Sequence, residues 1–361
     1  MISHLHNTTV SAINKELSHL TAANGSLSSG RVLTLVVLAE KGHSREAMRA
    51  AIRASHEHPS RVIVHISHDP LDPDQLDAEI HLGGDTGASE MIVLRGWGSA
   101  SRPTEALISG LLLPDSPIVV WWPHSVPENP AQHSIGRIAQ RRITDSARAA
   151  DPKEALKHLA EVFRAGDTDL AWTRLTLWRT QLAALMEQMP SSPVRRVVVW
   201  GSSKSPSVVL LGTWLGWKLE APVHLATIGA ANRGLYRVSI EREDGSVTMF
   251  RPGISVATIS TPYAPDQQIA LPVRTLAECI SEELRRLDPD DTYGDVLKQA
   301  LCTVTLVDDT CQPEDMLDLE EYPEVFDAYD SEPGRIHPHP GGAPDPRRSR
   351  RGRGDPHPRH H

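Results

Sequence analysis

The feature that most constrains the fold is a pair of unbroken apolar runs on either side of a helical segment. Residues 30–40 read GRVLTLVVLAE, and residues 61–66 read RVIVHI. Such runs are typical of strands buried on both faces, in sheets that helices cover on both sides. Ser44 opens the predicted helix between them, which runs to about Glu57. The β–α–β order predicts that the two strands pair in parallel through a right-handed crossover.

Three more apolar segments extend this pattern. They read AEIHL at 78–82, MIVLR at 91–95 and PIVVWW at 117–122, with helical or loop material between them. A chain of 361 residues is longer than one hydrophobic core usually serves, so two domains are expected. We predict that residues 1–165 form an N-terminal α/β domain with a mostly parallel sheet.

The second predicted unit mixes helices with antiparallel strands. RVVVW at 196–200 is another buried strand, and residues 236–251 alternate around Asp244-Gly245, which is a strong hairpin signal. Leu276, Ile280 and Leu284 repeat at helical spacing and predict a late amphipathic helix. We therefore predict a C-terminal α/β domain, residues 166–305, with an antiparallel hairpin in a mixed sheet.

The composition changes abruptly beyond the second unit. Residues 308–330 hold ten Asp or Glu and no Lys or Arg, and the remainder is rich in Pro, Arg and His. Such segments bury too little apolar surface to offset the entropy of ordering. Residues 306–361 are predicted to be a disordered tail, first acidic and then Pro/Arg/His-rich.

Composition excludes several classes of function. The net charge of −9 argues against a nucleic-acid binder, and no apolar run approaches the roughly 18 residues of a membrane helix. Three cysteines without a CxxC pair, together with an N-terminus that lacks the pattern of a signal peptide, predict a cytoplasmic protein. No HExxH or GxSxG motif occurs, so we expect no metal site, no cofactor and no catalytic set.

One glycine-rich segment, HLGGDTGASE at 81–90, could bind an anion. Successive backbone N–H groups of a flexible loop can hold a phosphate. The segment lacks the lysine and the spacing of a P-loop, and a tight turn between two strands needs glycine in any case, so the plain turn is favoured. The candidate ligand loop is Gly83, Gly84, Asp85, Thr86 and Gly87.

Aromatic and arginine residues crowd the chain at the junction of the two predicted domains. DTDLAWTRLTLWR at 167–179 holds two tryptophans and two arginines, in a chain with only 4% aromatic residues. A tryptophan pair ends the PIVVWW strand, and an arginine pair follows in QRRITDSA. The candidate partner-binding set is Trp121, Trp122, Arg141, Arg142, Asp145, Asp167, Asp169, Trp172, Arg174, Trp178 and Arg179.

Two interpretations of this set stay open at the level of sequence. In one, the tryptophans hold the two domains together and the arginines pair with Asp145, Asp167 or Asp169. In the other, part of the set faces a partner, because Trp and Arg dominate the hot spots of protein interfaces. The two can coexist, since ligands and partners often bind at a domain junction.

The ordered set of segments resembles a known family. GRVLTLVVLAE, HPSRVIVHI, GGDTGASEMIVLR, LLLPDSPIVVWWP, QRRITDSA, GDTDLAWTRLTLWR and LAECISEELRRLDPDD occur in the order and spacing of the OpcA-type glucose-6-phosphate dehydrogenase assembly proteins. The resemblance covers roughly residues 1–305, and no single motif is diagnostic by itself.

The resemblance implies a non-catalytic protein that promotes assembly or activation of glucose-6-phosphate dehydrogenase, the entry enzyme of the oxidative pentose phosphate pathway and a source of NADPH. The implied partner is that dehydrogenase, and no active-site residues carry over. Two alternatives remain: an α/β sensor that binds a nucleotide or sugar phosphate, and a sugar-phosphate enzyme whose catalytic residues are not recognised.

Overall fold

The computed structural model describes residues 1–23, 32–83, 90–202, 204–227 and 234–301, with the backbone of 306–310. Its strands form two sheets, one of eight and one of seven strands. The fold is α/β, as predicted, with a mostly parallel first sheet and a mostly antiparallel second sheet.

The first sheet is built from strands of the N-terminal half of the chain. Its order is β1-β4-β5-β3-β2-β6-β7-β8, and five of the seven neighbouring pairs are parallel. The strands are β1 Ile2–Leu5, β2 Leu33–Glu40, β3 Ser60–Ser67, β4 Gln75–Leu82, β5 Glu90–Trp97, β6 Ile118–Trp121, β7 Arg141–Thr144 and β8 Asp167–Asp169.

The predicted β–α–β unit is confirmed. β2 and β3 pair in parallel, and the helix between them, α2, spans Ser44–Glu57. The first seven residues of β2 are buried, because helices cover both faces of the sheet. α1 (Val10–Ala23) and α3 (Glu105–Ser109) pack on one face, and α2 packs on the other.

The second sheet has the order β14-β13-β12-β11-β9-β10-β15. Its strands are β9 Val194–Trp200, β10 Val223–Thr227, β11 Arg237–Arg242, β12 Gly245–Phe250, β13 Val256–Thr261, β14 Ala264–Ala270 and β15 Leu306–Thr310. The hairpin expected around Asp244-Gly245 is β11–β12. Five residues assigned to the predicted tail form β15, which pairs in parallel with β10, and residues 311–361 lie outside the described part.

Six further α-helices lie in the described part of the chain: α4 Pro152–Val162, α5 Leu170–Thr173, α6 Thr176–Gln188, α7 Pro206–Leu219, α8 Leu276–Arg285 and α9 Asp291–Asp295. Most pack on the second sheet, but α8 lies beside α2 on the first sheet. β8 also belongs to the first sheet. After β14 of the second sheet the chain therefore returns to the first sheet with α8, before β15 adds to the second sheet. The two sheets meet where β8 leads into α5.

Candidate functional site

The candidate site is the junction around β6, β7 and β8. The carboxyl ends of these strands, where α/β proteins usually bind other molecules, carry Trp121, Asp145 and Asp169, and the amino ends of β7 and β8 carry Arg141, Arg142 and Asp167. Gly166 shapes the entry to β8, because its φ of +93° belongs to the left-handed region and a Cβ there would lie 2.5 Å from the Gln140 carbonyl oxygen. Its own carbonyl accepts the Arg142 backbone N–H at 2.9 Å, which fixes the start of β8 beside β7.

The four tryptophans of the predicted set are buried side chains. Trp121 and Trp122 are 0% and 3% exposed and lie on opposite faces of the first sheet, as strand alternation predicts. Trp172 and Trp178 are 1% and 2% exposed and belong to the core of the second sheet. In this conformation the four indoles pack inside the protein and offer no surface to a partner.

Two of the predicted arginines form ion pairs with predicted aspartates. Arg142 pairs with Asp167 and also donates to the Ala139 carbonyl at 2.9 Å. Arg174 donates two hydrogen bonds to Asp145, both at 2.7 Å. Burial alone would lower the pKa of Arg174, but the Asp145 carboxylate raises it above its ordinary value. These pairs match the structural interpretation of the set.

Asp169 organises the turn between β8 and α5. Its carboxylate is 0% exposed and accepts hydrogen bonds from the Thr144 hydroxyl at 2.7 Å and from both the backbone N–H and the hydroxyl of Ser146 at 2.8 Å. It also accepts the Ala171 N–H at 2.9 Å and so caps α5, a position at which aspartate is favoured. Burial raises the pKa of Asp169, and the nearby Asp145 adds to this effect.

A third ionic contact ties α8 to this junction. Arg141 of β7 pairs with Glu283 of α8 and donates to the Asp288 carbonyl at 3.1 Å. Glu283 also accepts the Thr173 hydroxyl at 2.5 Å, so one carboxylate joins β7, α5 and α8. Burial raises the pKa of Glu283. These contacts connect the polar junction of the first sheet to α8, which lies more than a hundred residues further along the chain.

Arg179 makes a different kind of contact. Its guanidinium lies over the Trp172 indole, with Cζ 3.7 Å from the ring centroid. The indole Nε1–H of Trp172 donates to Asp290 at 2.8 Å. The negative charge of an aromatic ring face attracts a cation. The Trp172 indole therefore holds the Arg179 guanidinium in place.

The structure brings together most of the predicted set, and the ligand loop stays largely untested. Of the loop, Gly83 is described, with a φ of +65°, whereas Gly84, Asp85, Thr86 and Gly87 lie outside the described residues. Whether the junction residues bind a partner stays a prediction.

Sequence reasoning missed several charged residues of the junction. Glu283 lies seven residues after Leu276, on the apolar side of its helix, and a carboxylate in that position could have signalled a buried ion pair. Arg148 and Glu46, joined by hydrogen bonds of 2.5 and 2.6 Å, carry no comparable signal because they lie 102 positions apart.

Neither a metal site nor a membrane span is found in the described part of the chain. Within those residues, no group of three or more His, Cys, Asp or Glu is placed to hold a metal ion. Of the helices described, none has the length and apolar character that crossing a bilayer requires. The Cys279 thiol is buried, which raises its pKa to about 11.

Two family matches cover most of the described chain. Residues 51–161 match the N-terminal domain, and residues 165–297 the C-terminal domain, of the OpcA glucose-6-phosphate dehydrogenase subunit. No curated protein matches the chain significantly.

Solved structures show only weak likenesses. A 3-ketoreductase of Actinomadura kijaniata, KijD10, in complex with TDP-benzene and NADP, is 12% identical with a TM-score of 0.44, and the match covers 78% of this chain and 100% of that chain. A myo-inositol dehydrogenase of Lactobacillus casei, in complex with NAD(H) and myo-inositol, is 11% identical with a TM-score of 0.35, covering 76% and 93%. At these scores the likenesses carry no argument.

Proposed function

Because the chain belongs to the OpcA family of glucose-6-phosphate dehydrogenase subunits, we propose that it binds glucose-6-phosphate dehydrogenase and promotes its assembly or activation without catalysis of its own. The observation that carries this proposal is the pair of family matches, which follow each other along the chain over 51–161 and 165–297. We infer that it acts in the cytoplasm, where it supports the oxidative pentose phosphate pathway and NADPH production.

The proposed mechanism is a shift of population. If the protein binds the active form of the dehydrogenase more tightly than other forms, linkage requires that it favour that form. We propose that the buried junction acts by holding the neighbouring surface in one shape. Its indoles and ion pairs span both sheets, and a preformed surface avoids the entropy of ordering on binding. In the tryptophan- and arginine-rich segment, residues 167–179, the charged side chains that are not fully buried are Arg174 and Arg179. We therefore propose that these two arginines contact the partner.

The experiment is to mix the purified full-length protein with its cognate dehydrogenase. We expect a complex of larger mass by light scattering and a higher rate of NADPH formation, saturating with added protein. An unchanged mass together with an unchanged rate at saturating amounts would disprove the proposal. Two further arms test the alternatives: turnover of sugar phosphates by the protein alone would indicate an enzyme, and a thermal shift with NADP or glucose 6-phosphate would indicate a sensor.

A further inference from the structure

Arg179 differs from the other arginines of the junction because it has no acidic partner among the described residues. Arg141, Arg142 and Arg174 each pair with a carboxylate. Arg179 is largely buried, and in the described part of the chain no carboxylate oxygen lies within 4.0 Å of it. Burial lowers the pKa of Arg179, although nearby acidic groups act in the opposite direction.

Most of the hydrogen-bonding capacity of Arg179 is unused. A guanidinium has five N–H donors in a fixed plane. Among the described residues, its one acceptor is the Thr176 hydroxyl, at the long distance of 3.4 Å from Nη2. The Nε atom is shielded from solvent, and within the part of the chain that the structure describes it has no hydrogen-bond partner. A buried N–H without an acceptor is unfavourable in the isolated protein.

The acidic groups around Arg179 are already engaged elsewhere. Glu282 accepts Thr176 at 2.8 Å through one oxygen and pairs with Arg274 through the other. Glu283 accepts hydrogen bonds from Thr173 and Arg141. Asp290 accepts hydrogen bonds from two neutral donors, the Trp172 indole and the Tyr293 backbone N–H. These three carboxylates attract Arg179 from a distance, but among the described residues none lies within 4.0 Å of its nitrogen atoms, so a direct carboxylate partner has to come from another molecule.

From this we infer that Arg179 is the contact residue of the proposed dehydrogenase interface and receives a side-chain carboxylate, Asp or Glu, of the dehydrogenase. The inference rests on the proposed function. A guanidinium fork matches a carboxylate with two parallel hydrogen bonds. The Trp172 indole beneath holds the guanidinium in place, and aromatic-backed arginines are typical of interface hot spots.

The local charge favours a carboxylate over a phosphate. Glu282, Glu283 and Asp290 lie near Arg179, and each contributes to its electrostatic environment. A dianionic phosphate would be repelled by these groups about twice as strongly as a monoanionic carboxylate, because the Coulomb energy scales with charge. A protein side chain is therefore the better fit.

The test compares Arg179→Gln and Arg179→Lys with Arg53→Gln, using the full-length protein and the purified dehydrogenase. Arg53 is an exposed arginine of α2 and is the matched control. We expect Arg179→Gln to weaken the Kd by about 30-fold or more, the lower range for truncating one member of a desolvated charge pair. Arg179→Lys retains the charge without the fork and should recover only part of the affinity, and Arg53→Gln should bind like the wild type.

The melting temperature separates this contact from a structural role. Because Arg179 forms no direct ion pair among the described residues, Arg179→Gln should melt close to the wild-type temperature. A lower melting temperature, or wild-type affinity of Arg179→Gln, would overturn the inference while the proposed function stood. Failure of the wild-type protein to bind the dehydrogenase would instead remove the proposed function.

A charge exchange and a small-anion control complete the experiment. Arg179→Glu should lose binding, and an Asp or Glu→Arg substitution at one position of the dehydrogenase should restore it. If no position restores it, the inference fails. Inorganic phosphate that raises the melting temperature of the wild type but not of Arg179→Gln would show that the group is a small-anion site, which also overturns it.

Discussion

Replacing Asp145 by Asn should strongly destabilise the junction between the sheets. Asp145 is 1% exposed and accepts two hydrogen bonds of 2.7 Å from Arg174, with the Arg148 Nε at 3.4 Å from its carboxylate. Asparagine has nearly the same shape but no charge, so Arg174 would be left without a counter-ion. Removing one member of a buried ion pair costs about 3–5 kcal/mol. Arg148 keeps two short hydrogen bonds to Glu46 and adds little to this cost.

The free energy of unfolding is measured by urea denaturation, from the shift of the midpoint at an unchanged slope. The double variant Asp145→Asn/Arg174→Met removes both charges, so its cost should fall short of the sum of the single variants by about 2 kcal/mol. Glu154→Gln is the control, because Glu154 and Lys157 form an exposed pair at 3.8 Å and the substitution should have no measurable effect. Single variants that cost less than about 1 kcal/mol and add without coupling would refute the reasoning.

Three other substitutions probe the core, a buried histidine and the backbone. Trp178→Ala should lower the free energy of unfolding by about 3–5 kcal/mol, since the indole is 2% exposed; a variant that stays fully stable yet no longer activates the dehydrogenase would assign the indole to the interface instead. Burial lowers the pKa of His65, so below its ordinary pKa of about 6.5 the unfolded chain binds a proton that the folded protein does not. Stability should therefore fall as the pH falls below that value, and His65→Asn should reduce the slope of the melting temperature between pH 7.5 and 5.5; an unchanged slope would contradict this. Gly166→Ala should lower the melting temperature by several degrees, because the left-handed backbone disfavours a Cβ by about 1–2 kcal/mol and the Gln140 carbonyl blocks it, whereas Gly253→Ala has open space around it and should melt like the wild type.

Much of the architecture was predictable because it depends on local patterns. The run at 30–40 is apolar at successive positions, which only a strand covered on both faces requires, and β2 is buried accordingly. Asp244-Gly245 specifies a tight turn, and the hairpin forms there. For the candidate site, strand alternation places Trp121 and Trp122 on opposite sides of their sheet, and the ion pairs agree with one of the two interpretations that the sequence left open.

The sequence could not predict which residues form the ion pairs of the junction with each other. Arg141 and Glu283 are 142 positions apart, and no pattern in either segment indicates that these two residues pair. The helix that carries Glu283 lies in the chain between two strands of the second sheet, β14 and β15, but it packs on the first sheet, because its apolar stripe fits beside α2. The same limit applies to Arg179, whose lack of an acidic partner is visible only once the carboxylates around it are seen to be engaged.

The sequence by itself determined which segments are buried, where strands and helices alternate and to which family the ordered segments are similar, since each of these is recorded in the spacing of neighbouring side chains. Tertiary structure alone decided the order of strands in each sheet, the return of α8 to the first sheet and the ion pairs of the junction. The physical reason is that burial acts on each segment separately, whereas charge pairing depends on distances between atoms that the folded chain brings together from far apart.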